Sequence, residues 1–361
     1  MHLNIQKMID EINTEYIQTF KFHEDIAYQS ISEVVDFLLN ECQTKNICFV
    51  HGSGRRPTKL QKYYESMVTF LKRQMDYDEK KKLFKDRNSY SRTDHDATFM
   101  HMKEDHMRNG QLKPGYNIQI GVEAEYVTGV GVFSDRNDLA TLVPMLKDME
   151  AKSGHKYRSV TADSGYESEE GYLFLEANQQ TAYIKPQTYE KWKKRSFKND
   201  ISKRENMIYD ADKDEYTCYN KKQLRPIGIT HRKSATGYCS EVTVYECEDC
   251  SNCPYKEKCT KAKGNRKMQV SKVFVQKRQE SYENIMSPLG TIYRMNRSIQ
   301  VEGAFGVLKN DYKFKRFLTR GKTNVKTEFL FLVLGYNVNK LHSKIQGNRL
   351  GFQLHPLKEI A

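Results

Sequence analysis

Two carboxylates stand where phosphodiester chemistry would use them. Asp163 lies in Ser159-Val160-Thr161-Ala162-Asp163-Ser164-Gly165-Tyr166, where an apolar-flanked strand runs into a lone acid and a Ser-Gly turn opens a helix. In an open α/β sheet, ligands and catalytic groups collect at the carboxyl ends of strands. Glu302 lies in Asn296-Arg297-Ser298-Ile299-Gln300-Val301-Glu302-Gly303-Ala304-Phe305-Gly306-Val307-Leu308-Lys309, a helical stretch flanked by basic residues. Cutting or joining a phosphodiester uses two metal ions about 4 Å apart, one activating the attacking oxygen and one stabilising the leaving oxygen. Hard Mg²⁺ takes carboxylate oxygens and keeps several waters. An Asp at a strand end and a Glu on a neighbouring helix supply half of such a site, and the two are expected to face one cleft. Taken singly, an Asp before Ser-Gly is simply an N-cap or turn former. Lys309 follows Glu302 by seven residues, two helical turns on and on the same face. It is placed either to contact a phosphate or to stand as a solvated lysine.

Thiols form a second cluster. Cys247, Cys250, Cys253 and Cys259 have the spacing C-x2-C-x2-C-x5-C. C-x2-C knuckles provide the tight turns that a tetrahedral thiolate site requires, which favours Zn²⁺. Iron–sulfur ligation also uses C-x2-C-x2-C, but the usual bacterial run ends C-x3-C-Pro and this one does not. Cys218 and Cys239 stand as alternative ligands, and a packed set of reduced thiols without metal is the plainer reading.

The chain of 361 residues carries 59 Lys and Arg against 46 Asp and Glu, a net charge of +13 and a pI near 9.1. That balance favours a polyanion partner, since each neutralised phosphate releases counterions. The positive charge is dense at Lys191-Trp192-Lys193-Lys194-Arg195 and at Lys198, Lys203 and Arg204. It is dense again at Lys261, Lys263, Arg266 and Lys267, and at Lys313, Lys315, Arg316 and Arg320. Such runs position DNA through its phosphates, or else form a solvated face. The longest apolar run, Phe329 to Leu334, is far too short to span a bilayer. Met1-His2-Leu3-Asn4 leads into a polar helix rather than a secretory signal. Eight cysteines without such a signal point to reduced thiols and a cytoplasmic location.

Around these residues the pattern is helical, then α/β. Ile5, Met8, Ile9, Ile12 and Tyr16 share one helix face, as do Leu60, Tyr64, Met67 and Leu71. Between them, His51-Gly52-Ser53-Gly54-Arg55-Arg56-Pro57 looks like a phosphate loop. It lacks the Gly-Lys-Ser/Thr ending and a surrounding βαβ unit, so it reads as a basic linker. Ile118, Ile120 and Val122 alternate in a strand, and Val127 to Phe133 reads as its hairpin partner. Leu139, Leu142, Val143, Leu146 and Met149 have helical spacing. The Asp163 strand follows, then a helix through Tyr172 and Leu175, then the strand Thr181 to Lys185. That order is α/β. A Cys-rich, basic insertion over 186–275 interrupts it, and two helices close the chain, one carrying Glu302 and one centred on Phe329 to Tyr336. No internal repeat is visible.

The chain resembles the DDE transposases of insertion sequences, those with a Cys-rich insertion in the transposase DDE domain. The resemblance rests on the Asp163 block, the Glu302 helix, the cysteine block, Arg87-Asn88-Ser89-Tyr90-Ser91-Arg92-Thr93-Asp94 and Gly110-Gln111-Leu112-Lys113-Pro114-Gly115-Tyr116-Asn117. It implies a ribonuclease-H-like α/β core whose first strand, with the first catalytic Asp, has no match in residues 1–361. Residues 1–87 are then a helical segment following that strand, 88–185 the core strands and helices, 186–275 the insertion, 276–345 the closing core helices and 346–361 a tail. It implies Asp163, Glu302 and Lys309 as catalytic residues, with Asp163 and Glu302 holding Mg²⁺ or Mn²⁺. Tyr293, Arg297, Glu302 and Lys309 fit the Tyr-Arg-Glu-Lys signature of these enzymes, the Tyr and Arg intervals each one residue longer. DNA contacts are expected at Lys191, Trp192, Lys193, Lys194, Arg195, Arg297, Lys313 and Arg316. The implied activity is metal-dependent DNA cleavage and strand transfer on transposon ends and target, by a homo-oligomer, with no membrane partner. A truncated member and an inactive remnant that only binds DNA are the two forms of this expectation. Asp94 and Asp96 precede the second core strand and read as turn or core-orienting residues. His101 and His106 miss the His-Glu-x-x-His zinc spacing and read as surface or core histidines.

Overall fold

The computed structural model describes residues 1–52, 54–85, 87–102 and 109–352, in two compact units, Met1–Ser89 and Tyr90–Ala361. His106 of the sequence reading lies outside the described residues. In the first unit, α1 (His2–Tyr16), α2 (Ala27–Thr44) and α3 (Lys59–Phe84) pack around Ile5, Ile9, Ile12, Ile31, Leu38 and Met67. Thr58 caps α3 through its hydroxyl, which accepts from Gln61 N–H at 3.2 Å.

The second unit is mixed α/β. Strands β1 (Thr98–His101) and β2 (Leu112–Gly115) pair antiparallel, which alternation did not reveal. Next come β3 (Asn117–Glu123) and β4 (Tyr126–Phe133), antiparallel as expected and joined at Ala124 and Glu125, both with positive φ. Helix α4 (Leu142–Ser153) leads to β5 (Ser159–Ala162), α5 (Glu169–Ala177) and β6 (Thr181–Ile184), and β6 lies parallel to β5. A helical crossover is the connection that parallel pairing demands. Among the described residues β3–β4 and β5–β6 are separate two-stranded ladders.

The insertion is a folded element that sequence reading left without strands. It is a five-stranded antiparallel sheet in the order β11-β10-β9-β8-β7, from β7 (Ile208–Asp210), β8 (Glu215–Thr217), β9 (Gln223–Lys233), β10 (Cys239–Cys247) and β11 (Lys267–Val270). Helices α6 (Lys272–Met286), α7 (Pro288–Gly306) and α8 (Lys322–Gln346) close the chain. The sharp α6–α7 junction needs Gly290, where a Cβ would sit 1.9 Å from the Asn284 carbonyl oxygen. Helix α7 packs on β3, β5 and β6, so it spans both ladders. Its Ala304 joins Leu308, Val130, Val132, Phe329 and Val333 in one core. No helix among the described residues is long and apolar enough to cross a membrane.

Candidate active site

Asp163 ends β5 and starts the 3₁₀ turn Ser164–Tyr166, its Oδ1 accepting from Ser164 N–H at 2.9 Å. The capping role is therefore real, and it leaves the other oxygen for a second task. Asp163 Oδ2 lies 3.8 Å from Arg297 Nη2 on α7, with the Asp side chain 51 % exposed. The glycine of Ala-Asp-Ser-Gly-Tyr has a steric reason: a Cβ at Gly165 would lie 2.9 Å from Asp138 Oδ2. Asp138 is held from β3, its Oδ1 accepting from Asn117 Nδ2 at 2.8 Å and Gln119 Nε2 at 2.7 Å. Burial pushes the Tyr166 hydroxyl well above its ordinary pKa; Asp138 adds to the rise, Arg297 opposes it and Asp163 adds further. Asp163, Arg297, Tyr166 and Asp138 thus form one constellation, in which sequence reading had named only the first two.

Helix α7 presents its side chains in order. Tyr293 meets Tyr183 of β6 edge-on at 5.1 Å, Arg297 reaches Asp163, and Ala304 is buried. At about 100° per residue, Glu302 lies about 140° round the helix from Arg297. It is exposed and accepts from Ser298 Oγ at 3.1 Å on its own helix. Lys309 falls in a π turn, Val307–Asp311. The wider turn shifts Lys309 round from the row that an unbroken α-helix would share with Glu302. Among the described residues, no group of three or more His, Cys, Asp or Glu side chains is arranged to hold a metal ion.

Asp94 and Asp96 are committed elsewhere. Tyr116 Oη donates to both Asp94 oxygens at 2.8 Å, and Asp94 Oδ2 also accepts from Gly321 N–H at 3.2 Å. Asp96 Oδ2 accepts from Lys322 N–H at 3.1 Å. The pair therefore satisfies the free N–H groups at the start of α8 and orients that helix.

The basic segment 191–195 borders α6 and α7. Trp192 lies in the single helical turn Tyr189–Trp192, edge-on to Tyr282 of α6 at 5.5 Å, and Lys191, Lys193, Lys194 and Arg195 are exposed. Lys193 and Lys185 lie over the Tyr189 ring at 4.1 and 5.2 Å, joined by Arg294 of α7 at 5.9 Å. Three groups here are buried without a hydrogen-bond partner: Thr188 Oγ1, Trp192 Nε1 and Arg294 Nε. Lys313 and Arg316 are exposed on the segment between α7 and α8.

Cys218, Cys247, Cys250, Cys253 and Cys259 line one small cavity with Lys222, Lys256 and Arg266. Burial pushes the Cys247 thiol up to about 12, with the neighbouring Cys250 and Cys218 adding to the rise. Arg266 Nη1 donates to Cys259 Sγ at 2.9 Å, and its backbone N–H meets Cys250 Sγ at 3.5 Å. Cys239, at the other end of β10, is eight residues or about 26 Å of strand from Cys247, so it is out of reach as an alternative ligand. Cys218 is within it.

Residues 217–342 match the family model described as a transposase DDE domain, a stretch that runs from the insertion through Glu302 and Lys309 into α8. Over that stretch the chain is similar to the DDE transposases. Asp163 lies upstream of the matched stretch. No curated protein and no solved structure gives a match.

Proposed function

We propose that this chain is the C-terminal part of a DNA transposase, acting on transposon ends and target DNA by metal-dependent cleavage and strand transfer. The observation that carries the reading is Asp163 just after a parallel strand, its Oδ2 paired with Arg297 of the helix that also bears Glu302. Asp163 and Glu302 are the residues that would hold Mg²⁺ or Mn²⁺. Hard carboxylate oxygens suit those ions, and the ions would supply Lewis-acid activation of the phosphodiester. The chain's own part is to position DNA: Arg297, Lys191, Lys193, Lys194, Arg195, Lys313 and Arg316 present positive charge, with Trp192 beside them. Lys309 contributes a phosphate contact.

The two separate ladders beneath α7 support a ribonuclease-H-like core that is short of one strand. A strand from outside residues 1–361, laid between β3 and β5, would join the ladders and bring the missing carboxylate beside Asp163. Restoring such a segment, in the same chain or as a second one, is expected to give Mg²⁺-dependent nicking and joining of transposon-end DNA. Asp163→Ala and Glu302→Gln should each abolish it, and retained activity in either variant overturns the assignment.

The inactive, DNA-binding form is favoured by one finding: Glu302 lies about 140° round α7 from the Arg297 that meets Asp163. Residues 1–361 alone should bind duplex DNA and leave it uncut. For the insertion we propose a Zn²⁺ at Cys247, Cys250, Cys253 and Cys259, with Cys218 lining the same cavity. Thiolates suit that ion, but the thiols line the cavity without being grouped for a metal, so they would have to converge and Arg266 would have to leave Cys259.

A further inference from the structure

Helix α8 has a second apolar face. Val325, Phe329, Val333 and Tyr336 bury one side of it in the core. On the other side Phe331, Leu334, Val338, Leu341 and Ile345 stand 70, 58, 59, 43 and 52 % exposed. They recur at intervals of three, four, three and four residues, the a/d spacing of a two-stranded coiled coil. The row runs for about 21 Å of helix. A contiguous exposed apolar row of this length marks an interaction site.

We infer that two copies of this protein pair through this row, α8 against α8 and parallel. Residue type favours a second copy. Phe331, Val338 and Ile345 take the a positions and Leu334 and Leu341 the d positions, and β-branched a residues with Leu at d favour two strands in a parallel coil. Charge favours it as well. A chain of net charge +13 repels its own copy over most of its surface, yet the charged side chains of α8 are all engaged within the chain. Lys326 binds Asp148 at 3.0 Å, Lys340 and Lys344 bind Glu125 at 3.4 and 3.1 Å, and Lys322 lies over Phe133. Glu328 accepts from the N–H groups of Leu318 and Thr319. The row is flanked instead by Thr327, Gly335, Asn339 and His342, and open space at Gly335 lets a second helix backbone approach. With the half-exposed Leu330, the row offers on the order of 500 Å² of apolar surface per copy, most of the roughly 800 Å² per partner that a standard interface buries.

The test uses the full chain without DNA or metal, so its outcome is independent of the catalytic reading. Light scattering over a concentration series should give twice the chain mass for the wild type. Val338→Glu, and the milder pair Leu334→Gln with Leu341→Gln, should give the single-chain mass with circular-dichroism melts unchanged. Oxidised Ile345→Cys should form a disulfide between the two introduced cysteines, mapped by mass spectrometry, because only parallel pairing opposes 345 to 345. A monomeric wild type, a dimer that survives either variant, or a failure of that disulfide overturns the inference.

Discussion

Removing the guanidinium of Arg278 should unfasten the scaffold behind Asp163. Arg278 on α6 binds Glu167 through Nε–Oε1 at 2.7 Å and Nη2–Oε2 at 2.9 Å, and the Glu167 side chain is fully buried. Glu167 lies four residues after Asp163 and also accepts from Tyr172 Oη at 3.0 Å and Gln187 N–H at 2.8 Å. Arg278→Ala leaves that carboxylate buried with only the two neutral donors. Breaking one side of a buried ion pair costs about 3–5 kcal/mol. At a urea dependence of about 2–3 kcal/mol per molar, the midpoint should fall by roughly 1–3 M. The single tryptophan suits the measurement, because Trp192 contacts Tyr282 one helical turn beyond Arg278. Its fluorescence follows the second unit alone, which matters in a molecule of two compact units. Removing both charges, Glu167→Gln with Arg278→Met, should recover most of the loss. A shift below about 0.5 M for Arg278→Ala, or a double variant no better than the single, would refute the pair as the clamp.

Gly165→Ala should destabilise the second unit by about 1–3 kcal/mol, read as a lower melting temperature, because its methyl meets Asp138 Oδ2. Burial raises the pKa of Glu125, but Lys344 and Lys340 outweigh it and hold the carboxyl below its ordinary value; Lys152 and Lys326 do the same for the partly buried Asp148. Stability from these lowered groups is present above the ordinary carboxylate range and lost as pH falls through their folded values. Acid melts should therefore steepen below about pH 4, and Lys344→Met should flatten that dependence. With its thiol at about 12, Cys247 should alkylate far more slowly at pH 8 than the exposed Cys48 and Cys239, as measured by peptide mass spectrometry. Zinc analysis should give close to one equivalent, reduced by Cys250→Ser; metal-free protein that melts unchanged rejects a structural zinc. DNA affinity should fall steeply with salt, and a flat salt response would remove the basic face from the reading.

The core elements were legible because their signals are local. Alternation at Ile118, Ile120 and Val122 found β3, and helical spacing from Leu142 to Met149 found α4. The five-stranded sheet was not legible: β9 is exposed at every residue from Arg225 to Lys233, so no apolar alternation marks it. Asp138 and Tyr166 were missed because their meeting depends on β3 and the 3₁₀ turn lying together, a contact with no sequence period. The choice between Cys218 and Cys239 also turned on topology. A strand turns back at one and runs away from the cluster at the other. The Glu302–Lys309 spacing was read on an ideal helix, and the π turn broke that assumption.

The insertion also bears on the order in which the chain folds. Ile184, at the end of β6, donates its N–H to Ser281 Oγ of α6 at 2.9 Å, so the chain leaves and re-enters the core at one place. Closing that excursion as a flexible loop of some ninety residues would cost about 4 kcal/mol in chain entropy. The intervening sheet is a meander of antiparallel neighbours, whose contacts are short in sequence and form early. Its arm is tied back by Tyr238 Oη to Glu169 Oε1 at 2.7 Å, and Ser271 Oγ binds the other oxygen of the same carboxylate at 2.6 Å. A meander that folds first thus delivers α6 to β6 with much of the closure already made. On that order the Glu167–Arg278 clamp is expected to close late, once the cysteine-rich sheet has brought α6 back to β6.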